Sequence, residues 1–244
     1  MKLCLIMMIG AGEADLLQSH LPAYIHAVDG FIALNNNNDA ASLEVARAYN
    51  AQIIDHNWDW RFDTAQNRLI ELAESAGYDA VLKSDPDECW FGAHIAQLRA
   101  DLEHYLGVQT PWYNFFGDRC HYVPYPPFYP DHHMRIWRLG HGVRYERPRH
   151  SIPNRAALGW RDHHEVLVRG DIHCYHYGWT RATEYLNWRM ANYRRTEQGL
   201  PPLPTGAPVP ESERQYAPRE TVPFVGLQPI HPITKEVIDL DRIR

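Results

Sequence analysis

The chain has 244 residues, of which 45% are hydrophobic, and its formal net charge is −6. This length and composition suit one globular domain, with or without a tail, and provide enough apolar residues for a sizeable core. The negative charge argues against wholesale nucleic-acid binding, and no stretch approaches the ~20 consecutive apolar residues of a transmembrane helix.

Strand and helix signals alternate along about the first ninety residues. In chain order the predicted elements are a strand at 2–9, a helix at 13–27, a strand at 30–34, a helix at 40–50 capped by Asp39, a strand from 52, a helix capped by Asp63 or Thr64, and a strand at 78–82. This β-α-β-α-β-α-β order predicts an α/β fold with a mostly parallel sheet and helices on both faces. Ligands of such sheets bind at the carboxyl ends of the strands.

The second half of the chain differs in composition. Residues 107–147 are rich in aromatic residues and prolines, which favours short antiparallel strands and loops. Residues 179–197 regain a helical pattern, and the chain then becomes rich in proline, which predicts an extended segment or a tail. We therefore predict one domain at 1–198, with halves at 1–106 and 107–198, and a proline-rich extension at 199–244.

An acidic tetrad, Asp85-Pro86-Asp87-Glu88, closely follows the apolar run at 78–82. Three carboxylates at the end of a strand repel one another, so the cluster favours a bound divalent cation or charged ligand. A surface turn rich in Asp and Pro is the alternative that the tetrad alone leaves open. Because residues 35–39 follow another strand of the same sheet, both segments are predicted to lie at one edge, where they could bind one ligand.

Four segments of the N-terminal half resemble a known family: Gly12-Glu13, residues 35–39, residues 58–67 and the tetrad. In order and spacing they are similar to the motifs of the family 2 glycosyltransferases, which have the GT-A nucleotide-sugar-binding fold. The resemblance implies a GT-A-like fold whose first half binds the nucleotide and whose second, aromatic half binds the acceptor. The sequence departs from the family at Asn35, where the family usually has Asp, and at Gln66, where it often has Arg.

The resemblance also implies a metal site in which Asp85, Asp87 and His176 hold Mn²⁺ or Mg²⁺ against the diphosphate of the donor. His176 belongs to a His-Tyr-Gly-Trp segment that is similar to the family's His-Tyr-Gly-Tyr segment. Oxygen ligands suit these hard cations, which neutralise the developing charge of a diphosphate leaving group. A hydrogen-bonded strand histidine is the alternative for His176, as a simple helix cap is for Asp39. The donor-binding residues implied by the resemblance are Glu13, Asn35, Asp39, Asn67, Arg68 and Asp85.

An inverting transfer needs a general base near the acceptor hydroxyl. The region around His150 resembles the family's base-carrying region, but Ser151 stands where the family has an acidic residue. The sequence therefore leaves three candidate bases: His150, Glu146 and Asp131. The arginines of this region, Arg135 among them, are predicted either to hold phosphates or an anionic acceptor or to lie on a solvated strand.

The four cysteines are scattered and include no C-x-x-C pair. This pattern is weak evidence for disulfides and predicts a cytoplasmic protein in a reducing compartment. Cys120 and the segment His173-Cys174-Tyr175-His176 contain soft metal ligands, but the paired spacings of structural zinc sites are absent.

From the sequence we therefore expect a metal-dependent glycosyltransferase that takes a sugar from a nucleoside-diphosphate sugar, with inversion. The acceptor, predicted to lie against residues 112–129, could be a glycan, a lipid, a protein or a modified nucleobase. Two other functions stay open: a nucleotidyltransferase on an α/β fold, and a non-catalytic nucleotide- or carbohydrate-binding module.

Overall fold

The computed structural model describes residues 1–36, 39–146, 165–204, 206–214, 219–225 and 228–229. Within them the strands are β1 (Leu3–Ile9), β2 (Gly30–Asn35), β3 (Gln52–Asp55), β4 (Ala80–Lys83), β5 (Glu88–Cys89), β6 (Gly107–Phe116), β7 (His121–Tyr122), β8 (Asp131–Arg138), β9 (Val166–Val168), β10 (Cys174–Trp179) and β11 (Val222–Pro223). The helices are α1 (Ala14–Tyr24), α2 (Ala40–Ala48), α3 (Phe62–Ser75), α4 (Gly92–Asp101) and α5 (Thr183–Glu197), with short 3₁₀ helices at Ile25–Ala27 and Glu211–Glu213. Of the helices in these residues, none combines the length and apolar character needed to cross a membrane.

The N-terminal half forms the parallel part of the sheet. Strands β3, β2, β1 and β4 lie side by side in this order and run parallel. All residues of β1 are buried, because this central strand is covered on both faces. Its side chains alternate between two cores: Leu3 and Leu5 pack on the side of α1 and α2, whereas Cys4 and Ile6 pack on the side of α3. The predicted parallel sheet flanked by helices is confirmed.

The second half extends the same sheet. Strand β8 pairs antiparallel with β4, and the long strand β6 pairs antiparallel with β8. Strands β9 and β10 lie parallel to β6, and the two-residue β5 pairs antiparallel with β10. This mixed part continues the main sheet, and it brings β8 and β10 to the edge where the parallel strands end.

Two local features differ from the sequence prediction. Helix α3 begins at Phe62 with Arg61 at the cap position, so the prediction that Asp63 or Thr64 caps it is wrong. Asp63 lies in the first turn and pairs with Arg61 at 2.7 Å, where its charge is also favourable to the helix dipole. Helix α4 was not predicted, because it buries only a narrow stripe that includes Ile95 and Leu98 and so shows little apolar periodicity.

Candidate active site

A cleft of about 710 Å³ opens at the carboxyl ends of the parallel strands. The loops after β1, β2, β3 and β4 line it, together with parts of β6, β8, β10 and α5. Its ionisable lining residues include Glu13, Lys83, Asp85, Asp87, Arg135, His176, Glu184 and Arg189. Its aromatic lining residues are Trp58, Trp60, Phe62, Trp112, Trp179, Tyr185, Trp188 and Tyr193. The cleft lies where parallel α/β sheets place their ligands.

One short strand pairing brings the acidic tetrad to His176. Strand β5 begins at Glu88 and runs antiparallel to β10, which sets Glu88 opposite His176. The Tyr177 N–H donates to the Asp87 carbonyl at 2.8 Å and holds the two segments together. One carboxylate oxygen each from Asp85, Asp87 and Glu88 lies within 4.8 Å of the others, a spacing that could hold a metal ion.

His176 presents a ring nitrogen to Asp87. Its Nδ1 lies 2.6 Å from Asn114 Oδ1, an acceptor, so Nδ1 carries the proton and donates it. Its Nε2 therefore keeps a lone pair, and this atom lies 3.9 Å from Asp87 Oδ1. Burial lowers the pKa of His176 to about 4, so the ring is neutral at pH 7. A neutral imidazole fixed through its second nitrogen is the form of histidine that binds metal ions.

Gly178 allows these two groups to approach the main chain closely. A Cβ at this position would lie 2.5 Å from His176 Nε2 and 2.8 Å from Asp87 Oδ2. These distances are too short for a side chain, so both atoms lie directly against the Gly178 backbone. Because Asp87 Oδ1 and the neutral imidazole Nε2 of His176 lie 3.9 Å apart, the two residues fit as ligands of a divalent cation.

Two buried cations neutralise Asp85 and Glu88. Lys83 Nζ donates to Asp85 Oδ2 and lies 3.8 Å from Glu88 Oε1. Arg135 Nη2 donates to Glu88 Oε1 at 2.6 Å and lies 3.8 Å from Asp85 Oδ2. Burial raises the pKa of Glu88 to about 8, against the opposing charges of Arg135 and Lys83. Asp85 is already engaged by an ammonium group, so it is less available to a metal ion than Asp87 is.

Asp87 also has protein cations beside it. Arg189 Nη1 lies 3.5 Å from Asp87 Oδ2. Burial raises the pKa of Asp87, but the positive charges around it, including those of Arg181 and Arg189, bring it well below its usual range. The repulsion from which the sequence predicts a cation is therefore offset by protein side chains. The case for a metal depends instead on the facing ligand atoms of Asp87 and His176.

Glu13 and Asp85 are the two predicted donor-binding residues that line the cleft. Glu13 Oε2 accepts from the Gly10 N–H at 2.6 Å, and its Oε1 lies 3.2 Å from Arg181 Nη2. Burial raises the pKa of Glu13 to about 7, and the charge of Arg181 opposes this rise. Glu13 thus ties the loop after β1 to the arginine that precedes α5.

Asn35 and Asp39 support the loops around the cleft. Asn35 Nδ2 donates to Asp55 Oδ1 at 2.8 Å and joins the ends of β2 and β3. Asn35 borders an adjoining pocket of about 730 Å³ rather than the cleft itself. Asp39 occupies the cap position of α2, and hydrogen bonds from the Ser42 hydroxyl at 2.6 Å and the Gly12 N–H at 2.8 Å lower its pKa. This position agrees with the helix-cap alternative for Asp39.

Asn67 and Arg68 lie on α3, outside the lining of the cleft. Asn67 Nδ2 donates to the Tyr145 carbonyl at 2.9 Å, and its Oδ1 accepts from the Tyr145 N–H at 2.8 Å. Arg68 is half exposed and lies 3.7 Å from Glu71. The structure does not bring these two residues to the cleft, and Asn67 fastens the chain at Tyr145 to α3.

We expect Asn67→Ala to lower the free energy of unfolding by about 1–3 kcal/mol, because it removes the partners of two main-chain groups. Arg68→Ala is the matched control on the same helix, and its exposed side chain predicts a change below about 0.5 kcal/mol. Urea denaturation of both variants measures the difference. Similar effects for the two substitutions would contradict the role given to Asn67.

Two of the predicted general bases lie away from the cleft. Asp131 begins β8, and its Oδ1 lies 2.9 Å from His133 Nε2. Glu146 is exposed. Neither residue lines the cleft. The third candidate, His150, lies outside the described residues.

Sequence reasoning missed most of the aromatic wall of the cleft. Only Trp112 comes from the predicted acceptor segment at 112–129, and the other aromatic side chains follow β3 or belong to β10 and α5. Trp60 has a φ of 65°, unusual for a bulky residue, and its ring centroid lies 5.4 Å from that of Trp188. Two sequence signals could have located this wall: the tryptophans clustered near residue 60, and the last helix, which contains Arg and Trp residues.

Together the sheet, the cleft and the tetrad define a GT-A-like fold with a candidate phosphate and metal site. No protein-family model matches the chain, and no curated protein does. Among solved structures, S. aureus TarS residues 1–349 in complex with UDP-GlcNAc is similar, with 12% identity, a TM-score of 0.51, and coverage of 78% of this chain and 65% of that chain. Another structure of S. aureus TarS has 12% identity, a TM-score of 0.50, and coverage of 78% and 38%.

The chain therefore spans less than two thirds of the length of these TarS chains. At this level of identity the similarity shows the fold alone. It confirms the GT-A-like α/β architecture that the sequence predicts, with a largely parallel central sheet between helices.

Proposed function

We propose that the protein is a metal-dependent glycosyltransferase that moves a sugar from a nucleoside-diphosphate sugar to an acceptor, with inversion. The observation that carries the proposal is the arrangement of Asp87, His176 and Gly178 in the cleft, at the carboxyl edge of a GT-A-like sheet. The UDP-GlcNAc complex of TarS, whose fold is similar, supports a nucleotide sugar as the donor.

Asp87 and His176 would hold the cation, Mn²⁺ or Mg²⁺, with Asp85 beside them. When bound, the cation supplies positive charge that stabilises the nucleoside-diphosphate leaving group. The protein prepares both ligands, because Asn114 fixes the His176 tautomer and the positive charges around Asp87 keep its carboxyl ionised. Neither ligand then has to lose a proton when the metal binds at neutral pH.

The aromatic wall would position the uncharged parts of the substrates. Sugar rings have apolar C–H faces, and nucleobases have flat faces, and both pack well against indole and phenol rings. The wall formed around Trp60, Tyr185 and Trp188 therefore supports a sugar or a base as its ligand. The proposed acceptor classes are those expected from the sequence: a glycan, a lipid, a protein or a modified nucleobase.

Direct displacement requires a base for the acceptor hydroxyl. Asp131 and Glu146 do not line the cleft, so the proposal does not give them this role. It keeps His150 as the predicted base.

A thermal-shift screen tests the proposal with UDP, GDP, CDP, ADP and the corresponding triphosphates, each with and without Mn²⁺. We expect one diphosphate to raise the Tm, and Mn²⁺ to increase this shift. The corresponding nucleotide sugar should then release its diphosphate slowly to water, and a chelator should stop this release. Stabilisation by none of the diphosphates would contradict the proposal. Stabilisation by nucleoside triphosphates alone would indicate nucleotidyl transfer. Binding without any turnover would indicate a binding module.

A further inference from the structure

Two arginines in the cleft have donor atoms without hydrogen-bond partners in the described part of the chain. Arg135 is only 1% exposed, and its Nε and Nη1 atoms have no acceptor. The Nε atom of Arg189 is also buried without an acceptor. The Nη atoms of Arg189 lie 3.5 Å from Asp87 Oδ2 and from the Gly178 carbonyl, the upper limit of a hydrogen bond. Buried donors without acceptors are rare in native proteins, so these atoms have unused capacity for an acceptor such as a phosphate oxygen.

Aromatic rings hold both guanidinium groups in place. The Cζ atom of Arg135 lies 4.3 Å from the centroid of the Trp112 ring, and that of Arg189 lies 5.7 Å from the centroid of Trp179. Such stacking restrains a guanidinium plane without using its N–H groups. The buried N–H groups that lack an acceptor therefore keep their hydrogen-bonding capacity, in guanidinium groups whose fork geometry matches phosphate oxygens.

The balance of charge around the tetrad permits an anion to enter. Four carboxylates and four cationic side chains meet at this end of the cleft: Glu13, Asp85, Asp87 and Glu88 with Lys83, Arg135, Arg181 and Arg189. Even with all four carboxylates ionised the formal charges cancel, so a phosphate group would meet no net negative charge before a metal ion binds. A cluster made of the carboxylates alone would repel it.

We propose that Arg135 and Arg189 bind the diphosphate of the substrate directly, so that a nucleoside diphosphate binds to this protein in the absence of a divalent cation. The inference rests on the proposed function and assigns different roles to the arginines and to the cation. The arginines hold the phosphates in place, and the cation beside Asp87 and His176 serves the departure of the leaving group.

Titration calorimetry in a buffer containing EDTA tests this assignment, with UDP, GDP, CDP and ADP as the probes. The wild-type protein is expected to bind one of them, and Arg189→Gln to bind it at least about tenfold more weakly. Arg194→Gln removes an exposed arginine from the same helix and is expected to leave the Kd unchanged. Arg135→Lys keeps a charge beside Glu88 but loses the planar fork, so it is also expected to weaken binding. Circular dichroism melting identifies the variants that are folded.

Wild-type binding that appears only with Mn²⁺ would overturn the inference and leave the proposed function standing. Folded Arg189→Gln and Arg135→Lys variants that bind the diphosphate as tightly as the wild type in EDTA would do the same. If no nucleoside diphosphate binds with or without Mn²⁺, both the inference and the proposed function fail.

Discussion

Asp87→Asn is expected to leave the protein folded and to lower kcat/KM for sugar transfer by at least about 100-fold. Asparagine has the shape of aspartate but no negative charge, and its amide is a poor ligand for a hard cation. In the wild type, the positive charges around Asp87 outweigh the effect of burial and hold the pKa of its carboxyl well below the usual range. The substitution therefore removes a charge that is present at every working pH, and no change of pH within the folded range is expected to restore activity.

The measurement is release of the nucleoside diphosphate from the donor over a range of Mn²⁺ concentrations. Asp131→Asn is the matched control, because it makes the same change at a residue that does not line the cleft. We expect this control to keep the activity and Mn²⁺ dependence of the wild type. An Asp87→Asn variant with wild-type turnover and Mn²⁺ dependence would remove Asp87 from the metal site.

The parallel half of the fold could be predicted because its signals are local. Each of the first four strands is a short apolar run, and each is followed or preceded by a segment with helical spacing. The tetrad could be located for the same reason, since the end of β4 places it at the carboxyl edge of the sheet. These inferences needed only the order of the elements along the chain.

The chemistry around the tetrad depends on pairings that leave little trace in the sequence. His176 reaches Asp87 because the two-residue strand β5 pairs with β10 in one particular register. Arg135 lies on β8 and Arg189 on α5, far from the tetrad in the sequence. The sequence alone does not show which of its distant arginines will contact a given carboxylate. The cap of α3 was mispredicted for a different reason: Asp is preferred over Arg at the N-cap position, but the structure has Arg61 there.

Repulsion within the tetrad is not by itself evidence for a metal ion. Three neighbouring carboxylates correctly marked a site, but the structure relieves their repulsion with Lys83 and three arginines. A metal ion is therefore not needed to stabilise the neighbouring carboxylates. The position of a metal site has to be inferred from the geometry of its ligands. Both proposed ligands lie close to Gly178, so adding a methyl group at this residue tests the position of the metal site directly.

Gly178→Ala is expected to abolish the additional stabilisation that Mn²⁺ gives to the diphosphate complex, and to lower turnover by about 100-fold or more. The new methyl group would lie 2.5 Å from His176 Nε2 and 2.8 Å from Asp87 Oδ2, so at least one of these atoms must move. His176 is held by Asn114 and lies against the ring of Trp112, which limits how far it can adjust. A cost in folding of about 1–3 kcal/mol is expected for such overpacking.

Gly170→Ala is the control for this substitution, because a Cβ there meets nothing within 4 Å and the residue lies outside the left-handed region. Thermal shifts with the nucleoside diphosphate, with and without Mn²⁺, separate the metal site from the arginines. We expect Gly178→Ala to keep the shift seen in EDTA and to lose the increase produced by Mn²⁺. A variant that keeps this increase would contradict this placement of the cation, because the methyl group forces His176 Nε2 or Asp87 Oδ2 out of its position.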